Sequence, residues 1–319
     1  MSAASGRQPD PCPVAMRGIV PSLNTPFDAA GALDERGIAA SAEASIAAGC
    51  VGLLALAVAG EQGSLSPAEK ERAAGIVVAT AGGRVPIVVS VTAPEVATSV
   101  ALAATAARCG ADGVLVQAQK GLEGDALADA VRRIAAAGPP LLMLQDLDWG
   151  GGGLPLEAIL ALRAAEPRFR CLKIETVPAG PKYSRVLAAT GGSLHVSGGW
   201  AVSQMPDALA RGVHAFMPTA LDHVYVRIHR LHAAGRRDEA RALFERALPV
   251  LAFANQHIDV SIRFWKLYRH RQGLFATAAC RSPVAPLDAV QQAEAERLAE
   301  RALALDAEAA QAERREGAC

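Results

Sequence analysis

One pattern constrains this chain more than any other: a short apolar, β-branched run followed by an Ala/Leu-rich helical stretch, eight times in succession. The runs fall at 18–24 (GIVPSLN), 51–56 (VGLLAL), 85–91 (VPIVVSV), 113–117 (GVLVQ), 141–145 (LLMLQ), 171–175 (CLKIE), 194–197 (LHVS) and 213–217 (VHAFM). Helical periodicity occupies 34–49, 67–82, 94–109, 124–137, 155–165, 179–190 and 201–211 between them, and 221–234 after the eighth. Strands that read as continuous apolar runs are buried on both faces, and their alternation with helices implies right-handed crossovers and a parallel sheet. Eight such units in roughly 250 residues match a closed barrel. An open doubly wound sheet would usually stop at about five to seven strands and carry GxGxxG after its first, which this chain lacks.

The expected fold is therefore α/β, a (β/α)8 TIM barrel over 17–235 with a C-terminal helical extension over 236–305, built from stretches near 237–256, 258–272 and 287–305. A loose N-terminal tail (1–16) and a flexible charged tail (306–319) complete the division. With 32 basic against 32 acidic residues and no basic run interleaved with aromatics, nucleic acid and anionic membranes are poor partners, and a small molecule is the better one. No run of 18 or more apolar residues occurs, and the first fifteen residues hold three prolines and no apolar segment of the signal-peptide kind, so a cytoplasmic chain is expected. The six cysteines (Cys12, Cys50, Cys109, Cys171, Cys280, Cys319) show no CxxC or Cys/His spacing, and the seven histidines are dispersed; they read as free thiols and ordinary packing positions, with no metal and no cofactor.

Of the 32 basic residues only five are lysines (Lys70, Lys120, Lys173, Lys182, Lys266), which makes "RFRCLKIETVP" at 168–178 conspicuous. On a strand, Cys171, Lys173 and Glu175 share one face while Leu172 and Ile174 share the other. In a barrel the apolar pair packs outward on helices, and Lys173 points inward near the strand's C-terminal end, where barrel active sites lie. Burial lowers an ammonium's pKa, as an amine nucleophile requires, and Arg cannot substitute because it stays protonated and forms no imine. Lys70 and Lys266 fall in helices and Lys120 and Lys182 in loops or first turns, where a solvated charge is the default.

Glu175 has two readings, a proton-transfer group or an ion pair that merely holds Lys173. Asp146 reads as a binding group or as a turn residue before the glycine run "WGGGG" at 149–153, itself a lid or a linker. Ser197, Gly198 and Gly199 end a strand ahead of a helix, either an anion site on backbone amides or a tight turn.

Taken together, several segments resemble the dihydrodipicolinate synthase and N-acetylneuraminate lyase family of Schiff-base (β/α)8 enzymes over residues 17 to about 275. "RGIVPSLNTPFDAAGALD" is similar to its first strand and loop, "AVAGEQGSLSPAEKER" to its Gly-Glu segment after strand two, and "CGADGVLV" to its fourth strand. "LKIET" aligns with the strand that carries the imine-forming Lys, and "VSGG" and "GVHAFMP" fit strands seven and eight. The resemblance implies Lys173 as nucleophile, Thr176 and Gln145 at catalytic positions, a 2-oxo acid carboxylate near Val58, Ala59 and Gly60, and a homotetramer or homodimer.

There are departures. Val58 and Ala59 stand where the family has two hydroxyl residues, though the amides of the turn 58–61 need no particular side chain to cradle a carboxylate. Gln145 replaces the strand-five Tyr and can hydrogen-bond without acting as acid or base. The second Tyr, after strand four, is absent around Lys120 and Gly121. "QD" at 145–146 with "KIET" and the "EQ" at 61–62 is similar to a subgroup that includes 2-keto-3-deoxyarabonate dehydratases. The expected function is thus a carbon–oxygen or carbon–carbon lyase, dehydratase or aldolase, acting on a 2-keto-3-deoxy acid through a Lys imine. A barrel that kept Lys173 but lost turnover, and a class I aldolase of another oxo acid, stay open beside it.

Overall fold

The computed structural model describes residues 16–119, 121–281 and 283–317. Eight strands form one parallel sheet: β1 (Gly18–Ile19), β2 (Leu53–Ala55), β3 (Ile87–Ser90), β4 (Gly113–Gln117), β5 (Leu141–Asp148), β6 (Phe169–Thr176), β7 (His195–Gly198) and β8 (Ala215–Phe216). From β2 to β8 each strand pairs with its sequence neighbour, and β1 pairs with β8. A parallel bridge between Ser22 and Leu54, with Val51 N–H donating to Ile19 O and Leu54 N–H to Pro21 O, closes the ring between β1 and β2. The barrel is formed as expected, but β1 and β8 are ladder segments of two residues each, much shorter than their apolar runs.

The connecting helices are α1 (Glu35–Ala47), α2 (Pro67–Ala81), α3 (Val96–Arg108), α4 (Gly124–Ala137), α5 (Leu156–Ala165), α6 (Ala179–Thr190), α7 (Met205–Ala210) and α8 (Asp222–Ala233). Local chemistry sets their starts. Ser66 and Glu69 bond each other's backbone N–H in a capping box with Pro67 in the first turn, which fixes where the loop after β2 ends.

Two apolar shells result. Val20, Leu54, Val88, Leu115, Met143, Cys171, Ala215 and Met217 fill the barrel interior, whereas Leu172 and Ile174 belong to the larger shell between strands and helices. Strand alternation on β6 therefore holds as read, and each such outward aliphatic side chain contributes about 1.5–3 kcal/mol by leaving water.

Beyond the barrel come α9 (Arg237–Ala254), α10 (Ile258–Arg271) and α11 (Ala289–Gly317). Here the tail expected over 306–319 is corrected: α11 continues to Gly317, and residues 318–319 lie outside the described residues. Leu298, Ala302, Leu305 and Ala309 form a buried stripe, and the charges that read as a solvated tail find partners on the barrel. Glu313 pairs with Arg227 at 3.0 Å and Glu316 with Arg236 at 3.1 Å. The loose segment expected over 1–16 falls outside the described residues except for Met16, which is fully buried in the barrel floor. Among the described residues no helix is long and apolar enough to cross a membrane.

Candidate functional site at the barrel mouth

Register places Gln117, Gln145, Lys173 and Ser197 at one level of the barrel, on β4 to β7 in order. Lys173 Nζ lies 3.3 Å from Glu175 Oε2, and Gln145 Nε2 donates a hydrogen bond to the same carboxylate oxygen. Lys173 and Glu175 are 5% and 7% exposed, and Gln145 is buried with them. Desolvating each ion costs several kcal/mol, so this pair is held only because the two charges and the amide satisfy one another. The approach is close enough to require glycine at 199. A Cβ there would collide with Glu175 Oε1 and come within 3.0 Å of Lys173 Cε.

Above the pair opens a cleft. Its barrel wall includes Ser22, Ala57, Val58, Ala59, Gln145, Lys173, Glu175, Gly199 and Met217. Its opposite wall comes from the extension: Leu251 and Asn255 on or just after α9, then Ile258, Ser261 and Trp265 on α10. Trp149, 46% exposed, stands at the rim. Among the described residues that line this cleft Lys173 is the one cation.

The turn after β2 is a 3₁₀ segment, Val58–Gly60. Within the turn 58–61, Gly60 N–H donates to Ala57 O and Glu61 N–H to Val58 O, while the amides of Val58 and Ala59 have no acceptor among the described residues. Asn24 Nδ2 donates to Ala59 O at 2.7 Å and Thr25 Oγ1 to Gly60 O at 2.7 Å, holding the turn against the first strand. Glu61, in a left-handed conformation (φ 52°), accepts from Arg281 N–H at 2.8 Å and pairs with Lys266.

Asp146 and Thr176, expected at the substrate, are placed elsewhere. Gln145 and Glu175 take the inward positions, so strand alternation turns their neighbours outward, away from the cleft. Asp146 forms an ion pair with Lys182 and accepts from Leu154 N–H at 2.9 Å; Lys182 Nζ also donates to Gly152 O at 2.5 Å. Thr176 packs beside it, close to Gly153. The glycine run is thus anchored from outside the barrel, not left as a free linker. Ser197 is buried with its Oγ 3.9 Å from Met217 Sδ, and Gly198 O accepts from Met217 N–H; of the three residues 197–199 only Gly199 lines the cleft. Among the described residues α7 does not begin at this turn, because a 3₁₀ turn (Trp200–Gln204) intervenes, and the Glu175 carboxylate occupies the space beside Gly199.

The solvated positions expected for Lys182 and Lys266 are also corrected: both are buried and paired with carboxylates distant in sequence. Lys120 lies outside the described residues. Sequence reasoning missed Ser22, which alternation from the inward Val20 could have found, and Tyr225, Ser261 and Trp265, for which the helical patterns carry no signal. Among the described residues no group of three or more His, Cys, Asp or Glu side chains is gathered as metal ligands would be.

Comparison with known proteins bears on this site. The sequence profile of the dihydrodipicolinate synthetase family matches residues 15–302. The chain belongs to this family. An uncharacterized DapA-like lyase of Halobacterium salinarum is 37% identical over 153 residues, covering 47% of this chain and 50% of that protein. A 4-hydroxy-tetrahydrodipicolinate synthase of Streptomyces coelicolor is 34% identical over 155 residues, covering 48% and 50%. The chain thus spans about half the length of the curated relatives it matches. The crystal structure of dihydrodipicolinate synthase from Rhodopseudomonas palustris superposes with TM-score 0.82 at 25% identity, covering 89% of this chain and 97% of that one. For the sialic acid aldolase of Ruminococcus gnavus the TM-score is 0.83 at 17% identity, with 92% and 99% covered, a likeness of fold.

Proposed function

We propose that the chain is a lyase of 2-oxo acids that works through an imine on Lys173, with 2-keto-3-deoxy acids as the substrate class. The observation that carries the reading is that Lys173, the one cation among the described residues lining the cleft, is held 3.3 Å from a carboxylate. Lys173 hands a proton to Glu175 and its free amine attacks the C2 carbonyl carbon; the carbonyl oxygen leaves as water, giving an iminium that draws electrons from C3. A C3 proton then passes to a base and the C3–H electron pair becomes the enamine. Expulsion of a C4 hydroxyl from that enamine, leaving as water with a proton from the acid, makes the enzyme a dehydratase; if instead the iminium itself takes up the C3–C4 electron pair to become the enamine, with the C4 hydroxyl giving up its proton to become a carbonyl, it is an aldolase. Glu175 serves as the proton carrier, because Gln145 cannot titrate and instead donates to Glu175 to orient it. Asp146 and Thr176, outside the cleft, take no part in this scheme. The same reading gives the chain a homodimeric or homotetrameric assembly, on the family resemblance.

Reduction with cyanoborohydride in the presence of pyruvate, followed by peptide mass mapping, tests it. The expected result is an adduct on Lys173, and its absence sinks the imine. A binding barrel that has lost turnover is favoured by Gln145 in place of a titrating group, and it differs in forming an adduct without consuming a 2-keto-3-deoxy acid.

A further inference from the structure

Tyr225 lies in the first turn of α8, 1% exposed, and it lines the cleft that holds Lys173. Its hydroxyl is buried and has no hydrogen-bond partner among the described residues. A buried hydroxyl left unpaired costs about 1–3 kcal/mol, so one at a ligand cleft calls for an acceptor that arrives with the ligand. Burial, with the charge of Asp222 adding to it, pushes the phenol's pKa well up, so the group keeps its proton and acts as a neutral donor.

Other unspent donors stand on the same side of the mouth. α8 follows β8, and β8 is the neighbour of β1. Ser22 continues from β1 with its backbone tied to Pro218 O on one side and bridged to Leu54 on the other, and it lines the cleft beside the turn at Val58 and Ala59. Those two residues contribute amide N–H groups without acceptors. Amide N–H groups can only donate, and two amides with two hydroxyls match the four lone-pair directions of a carboxylate. No second cation lines the cleft among the described residues, so an anion bound there is held by dipoles, in the manner of a backbone nest, leaving Lys173 free to give up its proton.

Resting on the imine reading above, we propose that the hydroxyls of Tyr225 and Ser22 complete a neutral clamp, with the amides of Val58 and Ala59, for the carboxylate of the 2-oxo acid. The hydroxyls missing from positions 58 and 59 are thereby supplied from the first strand and the eighth helix.

The test is cyanoborohydride trapping on the full chain with Tyr225→Phe and Ser22→Ala, using pyruvate and its uncharged methyl ester as probes, alongside thermal unfolding. Loss of a hydrogen bond to a charged oxygen predicts that half-saturating pyruvate rises about 10- to 100-fold in Tyr225→Phe while the maximal trapping rate changes less than about threefold. For methyl pyruvate the rise is smaller, and the melting temperature stays level or increases because an unpaired buried hydroxyl has gone. Ser22→Ala moves half-saturation in the same direction. An adduct that forms in the wild type and in Tyr225→Phe at the same half-saturating pyruvate overturns the clamp alone. So does an equal rise for both probes, or a fall in melting temperature without a change in half-saturation. No adduct at Lys173 in the wild type overturns the imine reading first, and the clamp with it.

Discussion

Lys173 with Glu175 and Lys266 with Glu61 are both buried Lys–Glu pairs, and they are built in opposite ways. The Lys173 ammonium has one carboxylate oxygen at 3.3 Å and a cleft above it. Lys266 is 0% exposed, in contact with Glu61, donates to Ala279 O at 2.8 Å, and sits 4.2 Å from the centre of the Phe27 ring, whose other cationic neighbour, Arg281, is also at 4.2 Å. Burial pushes the Lys266 pKa down, with Cys280 and Glu61 pulling the other way. Depth of burial does not therefore mark a reactive lysine. What separates the two is saturation: Lys266 has spent its donors on the protein, and Lys173 has donors left for something that enters.

The comparison breaks most visibly by removing each amine in turn. Lys173→Met abolishes pyruvate trapping and, by leaving the buried Glu175 carboxylate with only the Gln145 amide, also lowers the melting temperature. Within the mouth, Glu175→Gln keeps the adduct but slows exchange of the pyruvate methyl protons with D₂O, followed by NMR, by about 10²- to 10⁴-fold. Unchanged exchange per adduct would reduce Glu175 to an anchor.

Lys266→Met leaves the buried Glu61 carboxylate uncompensated and lowers unfolding free energy by about 3–5 kcal/mol in urea titrations, with part recovered when Glu61→Gln is added. Trapping at Lys173 is lost only as far as the fold is.

A third way of accommodating a buried base appears at the closed end of the barrel, where His195 is fully buried and bonded through Nε2 to Met16 O at 2.6 Å. Burial drives its pKa from 6.5 down to about 4, so it is neither loosely nor tightly paired but discharged. The unfolded imidazole takes up a proton below pH 6.5 and the folded one only near 4, so this contribution is complete above pH 6.5 and is lost as pH falls through 4. It amounts to about 3 kcal/mol, and His195→Gln flattens the fall in stability over that window.

The sequence made the barrel legible because buried parallel strands are apolar throughout, which no helix boundary can disguise; most helix limits lie within two residues of the periodic stretches. Lys173 and Glu175 were legible for the same local reason, a two-residue alternation along one strand. Lys182 and Lys266 were not, since their environments are made by Asp146 and Glu61, far away in the chain. The charges near Glu313 fail in the same way: alone they describe a tail, and Arg227 makes them the end of a packed helix. Asp146, read as a binding group or a turn residue, directly follows an inward residue, and in a strand that places it outside, against Lys182 and Leu154.

The two walls of the cleft have different origins, strand ends on one side and α9 and α10 on the other. In the proposed chemistry the bond-making groups sit on the first wall, whereas Leu251, Ile258 and Trp265 on the second only bound the space. Which substrates fit can therefore drift without disturbing the amine and its carboxylate. Grafting α9 and α10 between relatives becomes a way to exchange substrate range for a fixed chemistry, provided that Lys266 and Arg269 keep their carboxylate partners on the barrel.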